Sequence, residues 1–143
     1  MSFQLLEFQY NNNDGILKNN VLDKDITFTI IIGPNGTGKS HFLSQLIEVF
    51  RDLEDQQKKN KSNPKSSKYY YIKYNINNIE YSIEKKLGQY SLSVLDWNKL
   101  KIPNTILALS FMVEDKFTYQ SNSDNNNSLY KYLGIRNTAN AVF

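Results

Sequence analysis

The eight residues Gly33–Ser40, "GPNGTGKS", constrain this chain more than any other feature of its sequence. They match the pattern G-x-x-x-x-G-K-[ST] at every defined position, and they stand between a β-branched run and an amphipathic segment. Glycines let such a loop curl until successive N–H groups point at phosphate oxygens, and a following helix adds its N-terminal amides and dipole. The sequence therefore predicts a strand, a phosphate-binding loop and a helix, in that order.

The loop residues have predicted roles around a bound nucleotide. The Lys39 ammonium is expected to reach the β- and γ-phosphates, and the Ser40 hydroxyl to ligate Mg²⁺. The other predicted nucleotide contacts come from the rest of the loop and the residue after it: Gly33, Pro34, Asn35, Gly36, Thr37, Gly38 and His41. We therefore predict a site for a nucleotide and Mg²⁺ at this loop.

Hydrophobic periodicity predicts the elements on either side of the loop. From Lys39 to about Gln57, apolar residues recur at three- and four-residue steps, which indicates an amphipathic helix. The preceding run Ile26–Ile32, "ITFTIII", is β-branched without strict alternation, as expected of a strand buried on both faces. Such strands are typical of parallel sheets covered by helices.

The remaining strand predictions come from aromatic and β-branched runs bounded by turn residues. Residues 3–10, "FQLLEFQY", read as one strand, and residues 69–86 read as a hairpin with a tight turn at Asn77–Asn78. Residues 104–113, "NTILALSFMV", read as a second buried strand. Residues 129–136, "LYKYLGIR", fit either a last strand or a short helix.

Composition bounds the class of protein. The 143 residues make one domain or a piece of a larger one. The absence of cysteine excludes a disulfide scaffold and a cysteine-based zinc site, and there is only one histidine. No apolar run approaches the roughly 18 residues of a membrane span, and the N-terminus has no signal-peptide pattern. We therefore expect a cytoplasmic protein.

A basic segment at about residues 58–68 accounts for the positive net charge. Its five lysines are Lys58, Lys59, Lys61, Lys65 and Lys68, and it contains no acidic residue. Removing these five from the seventeen basic residues leaves twelve against fourteen acidic ones, so the rest of the chain is slightly negative. A solvated surface loop is the favoured interpretation, and a contact to DNA is the alternative.

The loop "GPNGTGKS", together with the preceding "ILKNNVLDKDITFTIII", resembles the corresponding region of SMC/ABC-like P-loop ATPases. In that family an antiparallel β-subdomain precedes a strand and a GPNGxGKS loop. The resemblance implies an α/β P-loop half-domain with an antiparallel β-subdomain, one N-terminal lobe over residues 1–143, and ATP as the nucleotide. The chain is also similar to the AAA/ABC-type ATPases of bacterial anti-phage and restriction-associated systems, which implies a role in antiviral defence.

Other classes of phosphate-binding protein fit the sequence less well. A GTPase needs D-x-x-G and N-K-x-D, yet no glycine has Asp three residues before it, and Asn98–Lys101, "NKLK", lacks the final acid. A small-molecule kinase surrounds its phosphates with several arginines. This chain has only Arg51 and Arg136, so an ATPase-like protein remains the best interpretation.

The family's hydrolytic parts are mostly missing from the sequence. An LSGGQ-like signature is absent, because the only glycines after the loop are the widely separated Gly88 and Gly134. Glu114 and Asp115 are the nearest candidates for a Walker-B acid and read better as loop acids, and Gln120 is a weak candidate for the Q-loop glutamine. The resemblance therefore implies a Walker-A half that needs a missing C-terminal half, or a second protomer, for hydrolysis.

For three further residues, the sequence allows either a contact to the nucleotide or a role in local packing or hydrogen bonding. His41 replaces the family's common Thr, which removes a hydroxyl contact to the α-phosphate and favours local packing or hydrogen bonding of the ring. Phe8 and Tyr10 lie where ABC proteins stack an aromatic ring on adenine, although core packing is the favoured use. The rival function for the whole chain is a non-catalytic module that binds a nucleotide to organise a partner, or a nucleic-acid-binding fragment.

Overall fold

The computed structural model describes residues 2–11, 17–20, 26–58, 68–110 and 129–134. The chain divides into two compact units. We call the first, Met1–Ile30 with Asp52–Pro103, the β unit, and the second, Ile31–Arg51 with Asn104–Phe143, the loop unit. A single helix among the described residues, α1 (Lys39–Gln57), has the predicted bounds and contributes residues to both units.

The β unit contains a five-stranded antiparallel sheet with the strand order β2-β1-β3-β4-β5. Its strands are β1 (Phe3–Tyr10), β2 (Leu17–Lys18), β3 (Tyr70–Ile76), β4 (Ile79–Lys86) and β5 (Gln89–Leu92). The predicted first strand is present, and so is the predicted hairpin of β3 and β4. The short edge strand β5 was not predicted.

Strict alternation along β3 gives this sheet its buried face. Its buried side chains are Tyr70, Ile72, Tyr74 and Ile76, and the residues between them are half-buried. Strand β1 breaks the alternation, since both Leu5 and Leu6 are buried. A register shift between Leu5 and Glu7 marks a β-bulge there, and a bulge turns one extra residue towards the same face.

Two tight turns connect the three consecutive strands β3, β4 and β5. The predicted Asn77–Asn78 turn is confirmed, and both residues have positive φ angles of 50° and 64°. Asparagine tolerates this left-handed conformation, which a two-residue hairpin turn requires. The second turn uses Leu87 at φ 51° and Gly88 at φ 77°. A leucine in that conformation is strained.

The carboxylate of Asp52, near the end of α1, lies at the centre of a polar cluster within the β unit. Its Oδ2 atom accepts hydrogen bonds from Tyr70 Oη at 2.8 Å, Lys85 Nζ at 3.0 Å and Tyr90 Oη at 2.9 Å. Burial raises the pKa of the Tyr70 hydroxyl, and the Asp52 carboxylate raises it further. The cluster therefore fixes the end of α1 to strands β3, β4 and β5.

The loop unit contains two parallel strands, β6 (Ile106–Ser110) and β7 (Tyr130–Gly134). Ala108 and Tyr130 are buried together with Ile47 of α1. The opposite face exposes Leu107, Leu109 and Leu133. The strand predicted at 104–113 is therefore only partly correct, because it is covered on one face and its residues 111–113 lie outside the described residues. Of the segment 129–136, residues Tyr130–Gly134 form a strand rather than a helix, and residues 135–136 lie outside the described residues.

The prediction that Ile26–Ile32 forms a strand buried on both faces is wrong. No strand is assigned to this segment, and Ile26, Phe28, Ile30 and Ile32 are 71–89% exposed. A strand needs neighbours for its backbone hydrogen bonds, and among the described residues none pairs with this segment. High β-propensity alone therefore does not bury it.

Candidate phosphate-binding site

The loop Gly33–Ser40 curls through two glycines in the left-handed region. Gly36 has a φ of 84° and Gly38 a φ of 88°. An added Cβ at either position would meet no described atom within 4 Å, so the requirement for glycine there is conformational rather than steric. The two glycines turn the chain sharply just before the helix.

Gly33 is required for a different reason, namely close approach. A Cβ on Gly33 would lie 2.9 Å from Thr37 Oγ1, which is closer than real Cβ atoms come. Thr37 Oγ1 in turn donates a hydrogen bond of 2.8 Å to the Pro34 carbonyl. The first and fifth residues of the loop are therefore held against each other.

Lys39 folds back over the start of the loop. Its Nζ donates hydrogen bonds to the carbonyl oxygens of Gly33 at 2.7 Å and Pro34 at 2.6 Å. An ammonium group has three N–H donors, so these two bonds leave one for a third acceptor. The positive charge is held beside the loop backbone, with one donor available for a phosphate oxygen.

The N-terminus of α1 adds a second source of positive potential. The first helical hydrogen bond runs from the Phe42 amide to the Gly38 carbonyl at 2.8 Å. The amides of residues 38–41 precede that bond and have no acceptor within the helix. The first turn contains no acidic residue. The positive end of the helix dipole is therefore not neutralised by its own side chains, as anion binding requires.

Ser40 lies exposed in the first turn of α1, immediately after Lys39. Within the described ranges, no group of three or more His, Asp or Glu residues could hold a metal ion. A Mg²⁺ ion on the Ser40 hydroxyl would therefore take its other ligands from phosphate oxygens and water, which are oxygen donors that Mg²⁺ accepts. The residues present fit a metal that is bound together with a nucleotide.

The His41 ring hydrogen-bonds locally, as predicted. Its Nε2 atom lies 2.9 Å from Nε2 of Gln45, one helical turn further on, and Gln45 is buried. The ring is therefore engaged along the helix, and the backbone amide is the group that His41 offers to the loop. A glutamine four residues after the histidine was a signal in the sequence for this pairing.

The two candidate adenine-stacking residues are core residues of the β unit. Phe8 is 0% and Tyr10 is 4% exposed, and their ring centroids are 6.4 Å apart. Core packing is thus confirmed as the use of both side chains.

The described part of the basic segment consists of its two ends. Lys58 forms a salt bridge with Glu54, and the Lys68 ammonium lies 5.8 Å from the Tyr10 ring centroid. Both lysines are exposed, and these intramolecular contacts add no support for binding DNA. The other three lysines, Lys59, Lys61 and Lys65, lie outside the described residues.

Arg51 packs against an aromatic ring, and the other remaining candidates lie outside the described residues. The Arg51 guanidinium stacks 5.6 Å from the Tyr130 ring centroid, within the loop unit. The predicted Walker-B and Q-loop candidates, Glu114, Asp115 and Gln120, lie outside the described residues, as does Arg136.

Comparisons with protein-family models, with curated proteins and with solved structures found no match to this chain. Among the described residues, no helix is both long enough and apolar enough to cross a membrane. The case for a function therefore depends on the sequence motif and on the geometry of Gly33–Ser40.

Proposed function

We propose that this chain is an ATP-binding module equivalent to the Walker-A half of an SMC/ABC-like ATPase, and that Gly33–Ser40 binds Mg-ATP. The main observation in support is the position of Lys39, whose ammonium is held by two loop carbonyls with one donor left over. The two left-handed glycines and the unneutralised start of α1 add to this support.

The backbone, the lysine and the serine of the loop have different tasks in this proposal. Backbone amides of the loop and of residues 38–41 donate to the phosphates. Lys39 supplies the full positive charge, and Ser40 would hold Mg²⁺, which would help to neutralise the negative charge of the phosphates. The preference for adenine comes from the family resemblance alone.

The proposal includes a partner. Hydrolysis requires an acid that holds Mg²⁺ and orients the attacking water, and the candidates in the sequence, Glu114 and Asp115, read better as loop acids and lie outside the described residues. We propose that a missing C-terminal ATPase half or a second protomer supplies it, and that the chain forms an incomplete α/β P-loop half-domain. The described residues are mostly antiparallel sheet with one helix, and they include one parallel pair of strands, β6 and β7.

Cellular context belongs to the proposal as well. The resemblance to anti-phage ATPases is the sole support for a role in antiviral defence, and no described residue adds to it. A cytoplasmic location is proposed because ATP is the expected ligand.

A titration with a series of ligands tests the proposed function. Isothermal calorimetry should give increasing affinity in the order adenosine, AMP, ADP and ATP, because each phosphate adds charge opposite Lys39 and the helix N-terminus. GTP should bind more weakly than ATP. Equal affinity for adenosine and ATP would contradict a phosphate-binding site, whereas equal affinity for ATP and GTP would contradict only the adenine preference.

Phosphate release distinguishes an ATPase half from a non-catalytic module. The chain alone should release phosphate at the background rate, and addition of the protein that carries the Walker-B half should raise that rate. Robust hydrolysis by the chain alone, lost in Glu114→Gln or Asp115→Asn, would show instead that one of those acids is catalytic. Nucleotide binding without hydrolysis in the presence of the partner would favour the non-catalytic module.

A further inference from the structure

We infer that Thr37 is a positioning residue of this loop, whose hydroxyl holds the Pro34 carbonyl where that carbonyl can hold the Lys39 ammonium. The inference rests on the proposed function, since it concerns how the loop presents its charge to phosphate. Thr37 occupies a position that the pattern G-x-x-x-x-G-K-[ST] leaves undefined, so the motif assigns it no task.

The Pro34 carbonyl oxygen accepts two hydrogen bonds at once. Thr37 Oγ1 donates at 2.8 Å and Lys39 Nζ donates at 2.6 Å. A carbonyl oxygen has two lone pairs, so both of its acceptor positions are used by side chains of the same loop. Thr37 and Lys39 are therefore linked through one backbone atom.

This link matters because the loop is exposed and one backbone angle orients the Pro34 carbonyl. Residues 34–38 are all solvent-exposed, and the proline ring fixes φ at Pro34 but leaves ψ, the angle that turns its carbonyl, unrestrained. Without the Thr37 hydroxyl, the Pro34 peptide group would be held mainly by the lysine that it is supposed to position. Rotation of that peptide would remove one of the two carbonyl contacts of the ammonium.

The requirement for glycine at position 33 has the same origin. Of the Thr37 side-chain atoms, only Oγ1 would lie closer than 3.4 Å to a Cβ on Gly33, since Cβ and Cγ2 would lie at 3.8 and 3.9 Å. The hydroxyl that holds Pro34 is thus the group that excludes a side chain at position 33. It follows that Ala is tolerated at position 33 once the hydroxyl is removed.

Two substitutions of Thr37 in the full chain test this inference, with the dissociation constants of Mg-ATP and of tripolyphosphate as readouts. T37V, which keeps the shape and lacks the hydroxyl, should bind both ligands about three- to tenfold more weakly, as expected for the loss of one hydrogen bond. T37S should stay within about twofold of wild type, because it keeps the hydroxyl. The thermal midpoint should be the same for all three proteins, because the loop is exposed. A residue with a purely structural role would shift that midpoint.

A double-mutant cycle supplies the second, independent test. G33A should weaken binding of Mg-ATP in the wild-type background and cause no further loss in the T37A background, because T37A removes the 2.9 Å contact. Wild-type affinity in T37V, equal losses in T37V and T37S, or additive losses in G33A and T37A would each overturn the inference. If the wild-type chain binds neither ligand, the proposed function fails first, and that result is distinct from the other three.

Discussion

The Asp52 carboxylate and the Lys85 ammonium lie 3.0 Å apart, and the Lys85 side chain is only 5% exposed. Burial lowers the pKa of Lys85, but hydrogen bonding to Tyr90 and Asp52 more than offsets that effect, and the net pKa is raised. The β unit therefore contains a charged lysine whose solvation by water has been replaced by one carboxylate and its tyrosine neighbours.

Asp52→Asn should destabilise the protein on the order of 3 kcal/mol, because it leaves the buried ammonium without its counter-charge. Urea denaturation measures this loss. Glu80→Gln is the matched control, since the Lys73–Glu80 pair at 2.9 Å is much more exposed, with side-chain exposures of 32% for Lys73 and 49% for Glu80. The control should change the free energy of unfolding by less than about 1 kcal/mol. Equal effects of the two variants would show that the Asp52 cluster is not important for stability.

Stability should fall at alkaline pH because of the same cluster. Burial and the Asp52 carboxylate raise the pKa of Tyr70 above its ordinary value of 10.0, so the folded protein keeps a proton that the unfolded chain loses. The protonated Tyr70 hydroxyl therefore makes its full contribution to the stability of the fold below pH 10, and that contribution decreases as the pH rises above 10. Burial also raises the pKa of Tyr90, an effect that Lys85 opposes and Asp52 reinforces.

In Tyr70→Phe, the free energy of unfolding should fall less steeply with rising pH than in the wild type. The slope should differ by up to about 1.4 kcal/mol per pH unit, which is the value for one proton. Urea unfolding at several pH values above 10 measures the slope. Ile72, which lies two residues from Tyr70, is fully buried and supplies the control. Ile72→Val should lower the free energy of unfolding by about 1 kcal/mol and leave its dependence on pH as in the wild type. An unchanged slope in Tyr70→Phe would refute the link between Tyr70 and alkaline unfolding.

Leu87→Asn should stabilise the protein by about 1 kcal/mol. Leu87 has a φ of 51° and is 84% exposed, so its backbone is strained and its side chain gains little from burial. Asn-Gly is the preferred pair for this type of turn. Leu95→Asn is the control, since Leu95 is 88% exposed and its φ is not positive, and it should be neutral within about 0.5 kcal/mol. A lower melting temperature in Leu87→Asn than in Leu95→Asn would contradict the assigned strain.

The sequence was sufficient for elements whose signals are local. Helix α1 has a clear apolar period and starts where the glycines end, and the Asn77–Asn78 turn needs only two adjacent residues. The parallel pairing of β6 with β7 joins Ile106 to Tyr130, and no local pattern specifies such a partner. The same holds for Asp52, whose partner Lys85 is 33 residues away in the chain.

Burial was the least predictable property, because it depends on neighbours rather than on the segment itself. Ile26–Ile32 has the composition of a central strand, yet Phe28 is 88% exposed. The pattern G-x-x-x-x-G-K-[ST] correctly predicted that Gly33–Ser40 forms a curled loop before a helix. It could not show that Thr37 and Lys39 share the Pro34 carbonyl, because that contact depends on the three-dimensional path of the loop.

The isolated chain should self-associate through exposed apolar surface. In the loop unit, Leu107, Leu109 and Leu133 are 51–57% exposed on the open face of the two-stranded sheet, and contiguous patches of this kind promote association. Sedimentation velocity should show association that decreases in the double variant Leu107→Gln, Leu109→Gln. Leu95→Gln, a single exposed leucine of the β unit, should leave it unchanged. A stable, cooperative monomer of the wild-type chain at tens of micromolar would count against this prediction.

Calorimetric titration of Mg-ATP into the wild-type chain and into Lys39→Ala determines whether Gly33–Ser40 binds the phosphates of a nucleotide. Lys58→Ala serves as the control, because it removes an equal charge from the other end of α1. We expect the wild type and Lys58→Ala to bind Mg-ATP with the same affinity, and Lys39→Ala to bind it about ten- to hundredfold more weakly, as expected for the loss of a charged hydrogen-bond donor. Equal affinity in Lys39→Ala and the wild type, or no binding by the wild type, would show that Gly33–Ser40 is not a site for nucleotide phosphates.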